Sequence, residues 1–314
     1  MITRPFDWRD ISMLSRYRNQ GVYLYSALVL TRGSLLIPSA MLSSLAPGMG
    51  VFTSVCENNE DGEEPLIGQA IQSQGSPLVQ MTFLAPRPAL AGRDLSTLIE
   101  YMVAQAGERG ALRLLADVEE HSEAFEPLRK LGFAIYSRQR IWKFKHQING
   151  DSQTISWRNA TEQDNIPVRA LYNNITPGLV QQAENFPAEH LRGMVYWKGD
   201  NLLGYAEFKY GHKGIWVQPL IHPDIQNLTE ILSGLLQNIH NRYARPVYVC
   251  VRTYQSWLDA ALEELGAESA PPQAVMVKHL AATSKQTRPY AIHALEGGRP
   301  EVSAPIAHSE TNHT

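Results

Sequence analysis

Glu119, Glu120 and His121 follow directly on an apolar run, Leu112 to Val118, and are the groups in this chain best placed to move a proton. A carboxylate or imidazole at a strand end can act as a general base if it comes within hydrogen-bond reach of a reacting group. The same acids also suit an ordinary helix start, where negative charge meets the partial positive charge of free amides. His222, beside Pro223, reads as a strand-end residue, and Tyr172 and Tyr254 suit either a pocket wall or a core. A second set of acids, Glu57, Glu60, Asp61, Glu63 and Glu64, falls between Pro47 and Pro65. No rigid element aligns them, so that segment reads as a solvated loop rather than a metal site. The only cysteines, Cys56 and Cys250, have neither zinc spacing nor a disulfide framework, which fits a reducing cytoplasm. No metal is expected.

Composition narrows the partners. The 314 residues are 44% hydrophobic and 19% charged, with a net charge of -3. That describes a globular chain without the clustered basic surface that nucleic acid requires. Arg138, Arg140, Lys143 and Lys145 alternate with apolar residues, as the outer face of a strand does. Val22 to Leu30 is too short to span a bilayer, and Met1 to Asp10 lacks the apolar core of a secretion signal. A cytoplasmic protein with no membrane partner is expected.

Elements that would position these residues occur twice. Arg4, Asp10, Gly68, Pro86, Leu98 and Gly132 are echoed in order by Arg158, Asp164, Gly204, Pro223, Leu235 and Gly266. A repeat of about 140 residues is a whole domain, far longer than a solenoid unit. The spacing predicts a domain over 1–145, a polar linker over 146–153, a second domain over 154–280 and a disordered tail over 281–314. Each copy reads as an opening strand, a helix near Asp7 or Thr161, two strands with the second ending at proline, and then a striped helix. Leu95, Leu98, Ile99, Met102, Val103 and Ala106 form one stripe; Leu228, Ile231, Leu232, Leu235, Leu236 and Ile239 form the other. A strand, a short helix and a last strand follow, Ala134 to Phe144 in one copy and Ala274 to Leu280 in the other. Such mixing predicts an α/β (α+β) fold with a mixed sheet in each copy. A single continuous sheet would count against two self-contained copies.

This order resembles the Gcn5-related N-acetyltransferase (GNAT) family over about 270 residues. The residues that carry the resemblance are Trp157-Arg158-Asn159-Ala160 with Asp164, Leu203-Gly204-Tyr205-Ala206, Leu220-Ile221-His222-Pro223, Leu66-Ile67-Gly68-Gln69 and Leu128-Arg129-Lys130-Leu131-Gly132-Phe133. The resemblance implies two tandem GNAT-like domains. It implies acetyl-CoA (or another acyl-CoA) as co-substrate and a small-molecule or peptide amine as acceptor. The pantetheine arm would pair with the splayed strand ends at Phe83, Leu84 and Ile221. The pyrophosphate would meet the loops containing Gly92, Arg93 and Asp94 in the first copy, or Gln226 and Asn227 in the second.

Both loops depart from the family pattern. Pro88 and Leu90 interrupt the first, and Asn227 and Thr229 stand where glycines belong in the second. The tyrosine that family members use as acid is replaced by Leu128 and Leu262, and the asparagine by His121 and Gln255. Glu119 and His121 remain as candidate catalytic groups. Gly92, Arg93 and the neighbouring acids favour the first copy as the working one. Two readings stay open: an N-acyltransferase, and an inactive tandem module that binds a ligand or serves as a scaffold, with a homodimer compatible with either.

Overall fold

The computed structural model describes residues 2–34, 36–45, 48, 50–57, 64–146, 157–184, 186 and 191–280. Most of the expected linker and all of the expected tail lie outside them. The first copy contains β1 (Ile2–Pro5), α1 (Ile11–Tyr17), β2 (Val22–Tyr23), α2 (Ser26–Arg32), α3 (Leu36–Leu45), β3 (Val51–Glu57) and β4 (Leu66–Gln72). It continues through β5 (Leu78–Ala85), α4 (Asp94–Glu108), β6 (Arg113–Glu119), α5 (Phe125–Lys130) and β7 (Ala134–Phe144). The second copy contains β8 (Trp157–Asn159), α6 (Asn165–Ile175), α7 (Gly178–Ala183), β9 (Gly193–Lys198), β10 (Asn201–Tyr210) and β11 (Ile215–Ile221). It ends with α8 (Leu228–Gln237), β12 (Val247–Arg252), α9 (Trp257–Glu264), β13 (Glu268–Ser269) and β14 (Gln273–His279).

The echoed residues do the same work in both halves. Arg4 donates from Nη1 and Nη2 to Asp10 at 2.7 and 2.8 Å; Arg158 does so to Asp164 at 2.7 and 2.7 Å. Each carboxylate also accepts the amide three residues back, Asp7 or Thr161, at 2.8 Å. Each arrangement is a capping box that starts the helical segment leading into α1 or α6. The stripes bury as expected: Leu95, Leu98, Ile99 and Met102 of α4, and Ile231, Leu232, Leu235 and Leu236 of α8. Truncating one such leucine to alanine costs about 2–5 kcal/mol. Gly132 and Gly266 end the short helices at φ of 86° and 80°, a conformation that disfavours a side chain.

Two features differ from expectation. The segment read as a solvated insertion begins with a strand: β3 pairs with β1 and β4, and its residues from Phe52 to Cys56 are buried. Its acids Glu60, Asp61 and Glu63 lie outside the described residues. The larger difference is the sheet. Its main path is a single continuous run, in the order β1-β3-β4-β5-β6-β14-β7-β12-β11-β10-β9-β8, rather than one sheet per copy.

The reason is an exchange of last strands. β14, from the second half, lies antiparallel between β6 and β7 of the first. β7, from the first half, lies antiparallel beside β12 of the second. Each half therefore runs edge to centre in the same order, β1-β3-β4-β5-β6 and β8-β9-β10-β11-β12, and the two meet at the β7–β14 pair. Helices cross as well: α2 packs on β10 and β11, and α7 on β7. Helices α4, α5, α8 and α9 bury the two large cores.

Exposed edges left by withdrawing an exchanged strand would carry unpaired backbone groups. Fragments 1–146 and 157–280, prepared separately, should each lack a cooperative melt, and mixing them should restore one. Cooperative unfolding of either fragment alone would contradict the exchange.

Candidate functional site

In each half two parallel strands start together and separate. β5 pairs with β6 from Leu78 to Gln80, and β11 with β12 from Ile215 to Val217; beyond those residues neither ladder continues. The resulting wedges are filled differently.

In the first half, backbone fills the wedge. A register shift opposite Gln69 and Ala70 leaves Thr82 unpaired in the β4–β5 ladder, and its carbonyl accepts the Leu24 amide at 3.0 Å. Leu24 in turn accepts the Asp117 amide at 2.9 Å, bridging the splayed strands. β2 pairs Tyr23 with Phe83 and Val22 with Leu84. The edge expected to receive a pantetheine arm is thus taken by the chain itself. Gly21 permits the approach: a Cβ there would lie 2.1 Å from the Phe83 ring.

In the second half, one side chain bridges the splayed edge of β11. Gln255, 1% exposed, accepts the Ile221 amide at 2.9 Å and donates to the Pro219 carbonyl at 3.0 Å. Those two backbone groups are the free edge of β11.

The other residues singled out from the sequence lie apart from the wedges' inner ends. Gly92 is exposed and its amide donates to the Ala89 carbonyl at 3.1 Å, so the amide is not free for phosphate. Arg93 stands at the α4 start and Asp94 is its first residue. Asn227 precedes α8 at φ 55° and donates to Glu230 at 3.4 Å; Gln226 accepts from Lys198 at 3.4 Å. Glu119, the last residue of β6, and His121, two residues beyond it, are exposed, and neither lines any of the four cavities found among the described residues.

Two residues before Glu119, Asp117 does line one. A cavity of about 400 Å³ lies over the sheet between the halves. Strand register places Asp117, Gln139, Arg252, Gln218 and Glu207 on one sheet face, as a polar band crossing from β6 to β10. The band is hydrogen-bonded. Ser26 Oγ and Gln139 Nε2 both donate to Gln273 at 2.9 Å, and Cys250 Sγ donates to Gln139 at 3.2 Å. Tyr136 and Arg252 Nη2 both donate to Glu184 Oε1 at 2.5 Å.

Burial pushes the Cys250 thiol up to about 12, so it is no nucleophile at neutral pH. Burial also lowers the affinity of Arg252 for its proton, but Glu184 and Tyr136 outweigh that and hold it charged. Some donors stay unmet among the described residues: Arg252 Nε and Nη1, Trp216 Nε1 and the Tyr172 hydroxyl. A buried polar group left so costs about 1–3 kcal/mol.

The sequence reading missed Asp117, Glu184 and Arg252. The available signal was a charge ending or interrupting an apolar strand: Leu114-Leu115-Ala116-Asp117-Val118 and Val249-Cys250-Val251-Arg252.

Asp117 keeps some accessible surface because it touches the cavity, yet protein surrounds it, and that burial raises its pKa against the opposing pull of Arg252. A folded pKa above the unfolded value, about 3.9, removes stability as pH rises through the interval between them. Asp117→Asn keeps an acceptor for the Ser26 amide, 3.0 Å away, without the buried charge. Its Tm at pH 7.5 should exceed that of the parent protein, and the gap should close below about pH 4. An equal or lower Tm at pH 7.5 would contradict the raised pKa.

No family model matches the sequence, and no curated protein matches it. Solved structures do match. A Gcn5-related N-acetyltransferase from Sphaerobacter thermophilus aligns with a TM-score of 0.56 at 11% identity, covering 89% of this chain and 95% of that one. A putative acetyltransferase from Pyrococcus horikoshii aligns at 0.48 and 11% identity, covering 88% and 89%. A tandem GNAT protein from the clavulanic acid biosynthesis pathway aligns at 0.46 and 15% identity, covering 89% and 98%. Among the described residues no single helix is long and apolar enough to cross a membrane. Over nearly nine-tenths of its length, this chain has the fold of the Gcn5-related N-acetyltransferases.

Proposed function

We propose that the chain is an acyl-CoA-dependent N-acyltransferase whose working site is the second half, not the first. The observation that carries this reading is that the β11 edge is bridged by Gln255 alone and that its wedge opens onto the polar cavity. Pro219 C=O and Ile221 N–H form an acceptor–donor pair suited to the amides of a pantetheine arm once Gln255 swings away. The co-substrate would supply the activated acyl group. Lys198, 3.4 Å from Gln226 just before α8, is a basic group that would meet a phosphate there. The α8 loop fits a pyrophosphate less well, since Asp224 and Glu230 oppose it and the Asp224 amide is spent on His222.

The chain's own residues would bind and orient a small-molecule amine in the cavity. Glu207 lies opposite Gln218 and close to Pro219, which supports it as the proton acceptor, whereas Glu184 is held by Arg252 and Tyr136. The two buried free thiols fit work in a reducing compartment, the cytoplasm. A ligand-binding module without transfer is the second reading, favoured by the closed first wedge and the missing phosphate loop.

Acetyl-CoA should raise the Tm of the protein, and Gln255→Ala, which bares the strand edge, should bind it about fivefold more tightly. Arg93→Ala should bind as the parent does. Absence of any shift at millimolar acetyl-CoA in both the parent protein and Gln255→Ala would leave only the second reading.

A further inference from the structure

Several buried donors among the residues that line the polar cavity have no partner among the described residues. Arg252 is 6% exposed and uses only Nη2, on Glu184; its Nε and Nη1 have no partner among the described residues. Trp216, 4% exposed, has a ring N–H that can only donate, and it too is unpartnered. Tyr172 brings a third unpartnered group from α6. The acceptors nearby serve other donors or do not reach these: Glu184 Oε1 takes two donors, Asp117 takes the Ser26 amide, Gln139 donates to Gln273 and accepts from Cys250, and Glu207 meets none of the unpartnered groups.

Trp216 and Arg252 are brought onto one face by register. Trp216 pairs with Tyr248, and Arg252 lies four residues along the same strand, with Cys250 between them on that face. All three side chains line the same cavity, as does Tyr205, whose hydroxyl is also unpartnered among the described residues.

We infer that the cavity between the halves is a binding site for a small organic carboxylate, held by the free N–H groups of Arg252 with Trp216 Nε1 and the Tyr172 hydroxyl. A carboxylate offers about four lone-pair positions to these donors and is the charge complement of a guanidinium. Arg252 and Lys209 face Asp117, Glu184 and Glu207 around the cavity, so the net fixed charge does not draw an anion in and the direct donors decide what binds. A volume of about 400 Å³ admits a molecule of metabolite size. The assignment concerns binding and does not need acyl transfer. Joined to the reading above, it makes the acceptor an amine that also carries a carboxylate.

The test is calorimetry and thermal shift on the full chain with glutamate, malate, phenylalanine and benzoate, each beside its amide or alcohol counterpart and beside inorganic phosphate, without acetyl-CoA. At least one carboxylate should bind while its uncharged counterpart binds at least about tenfold more weakly. Tyr172→Phe, which keeps the shape of the site, should weaken that carboxylate about fivefold or more with little change in unliganded Tm, and Trp216→Phe should weaken it likewise but with a lower Tm, because it leaves a void in the core. If every carboxylate fails at about 10 mM, or uncharged counterparts or phosphate bind equally well, the assignment is overturned and water satisfies the donors. Carboxylate binding without an acetyl-CoA shift would remove acyl transfer alone; the reverse result would remove this site alone.

Discussion

The β7–β14 pair is the constraint from which the rest of the molecule follows. A β-strand in the middle of a sheet must satisfy backbone groups on both sides, and here each half supplies the strand that the other lacks. Arg138, Gln139 and Ser137 of β7 face Ala274, Gln273 and Val275 of β14, and further along β7, Trp142 and Ile141 face Val249 and Cys250 of β12. The cavity has a floor only because of this seam, since Asp117 reaches it from β6 and Arg252 from β12.

The two wedges solve one problem in two ways. Splayed strands expose amides and carbonyls that must find partners. In the first half the partner is a piece of main chain, Val22 to Leu24, anchored through Thr82 and Asp117 and packed against Phe83. Displacing it would break several backbone bonds together with aromatic packing. In the second half the partner is one glutamine side chain, which a rotamer change withdraws. The first closure is held by several bonds at once and the second by one side chain.

Much of the fold was legible because it is written in local patterns. The Arg4–Asp10 and Arg158–Asp164 pairs, the stripes of α4 and α8 and the glycines at 132 and 266 all act within a few residues of sequence. The strand exchange was not legible, because Gln273–His279 has the same alternation whether it pairs with its own half or the other. β3 was hidden by the acids that follow it. The candidate site suffered most. Gly92 looked like a phosphate-loop glycine, yet its amide closes a local turn on Ala89. Glu119 and His121 looked placed for catalysis, yet the side chain that reaches the cavity is Asp117, on the same face of β6 as Glu119 but two residues farther from the strand end. Arg252 gains its meaning from Glu184 and Tyr136, distant in sequence, and no local pattern carries that pairing.

A hydrogen-bonded seam also decides how the molecule can breathe. Two lobes joined by a hinge open like a clamshell, but lobes stitched by interleaved strands cannot part without tearing the stitching. Ingress to the chamber is therefore left to the short segments laid over the sheet, among them α2, two turns long and packed on the opposite half, whose Ala27 lines it.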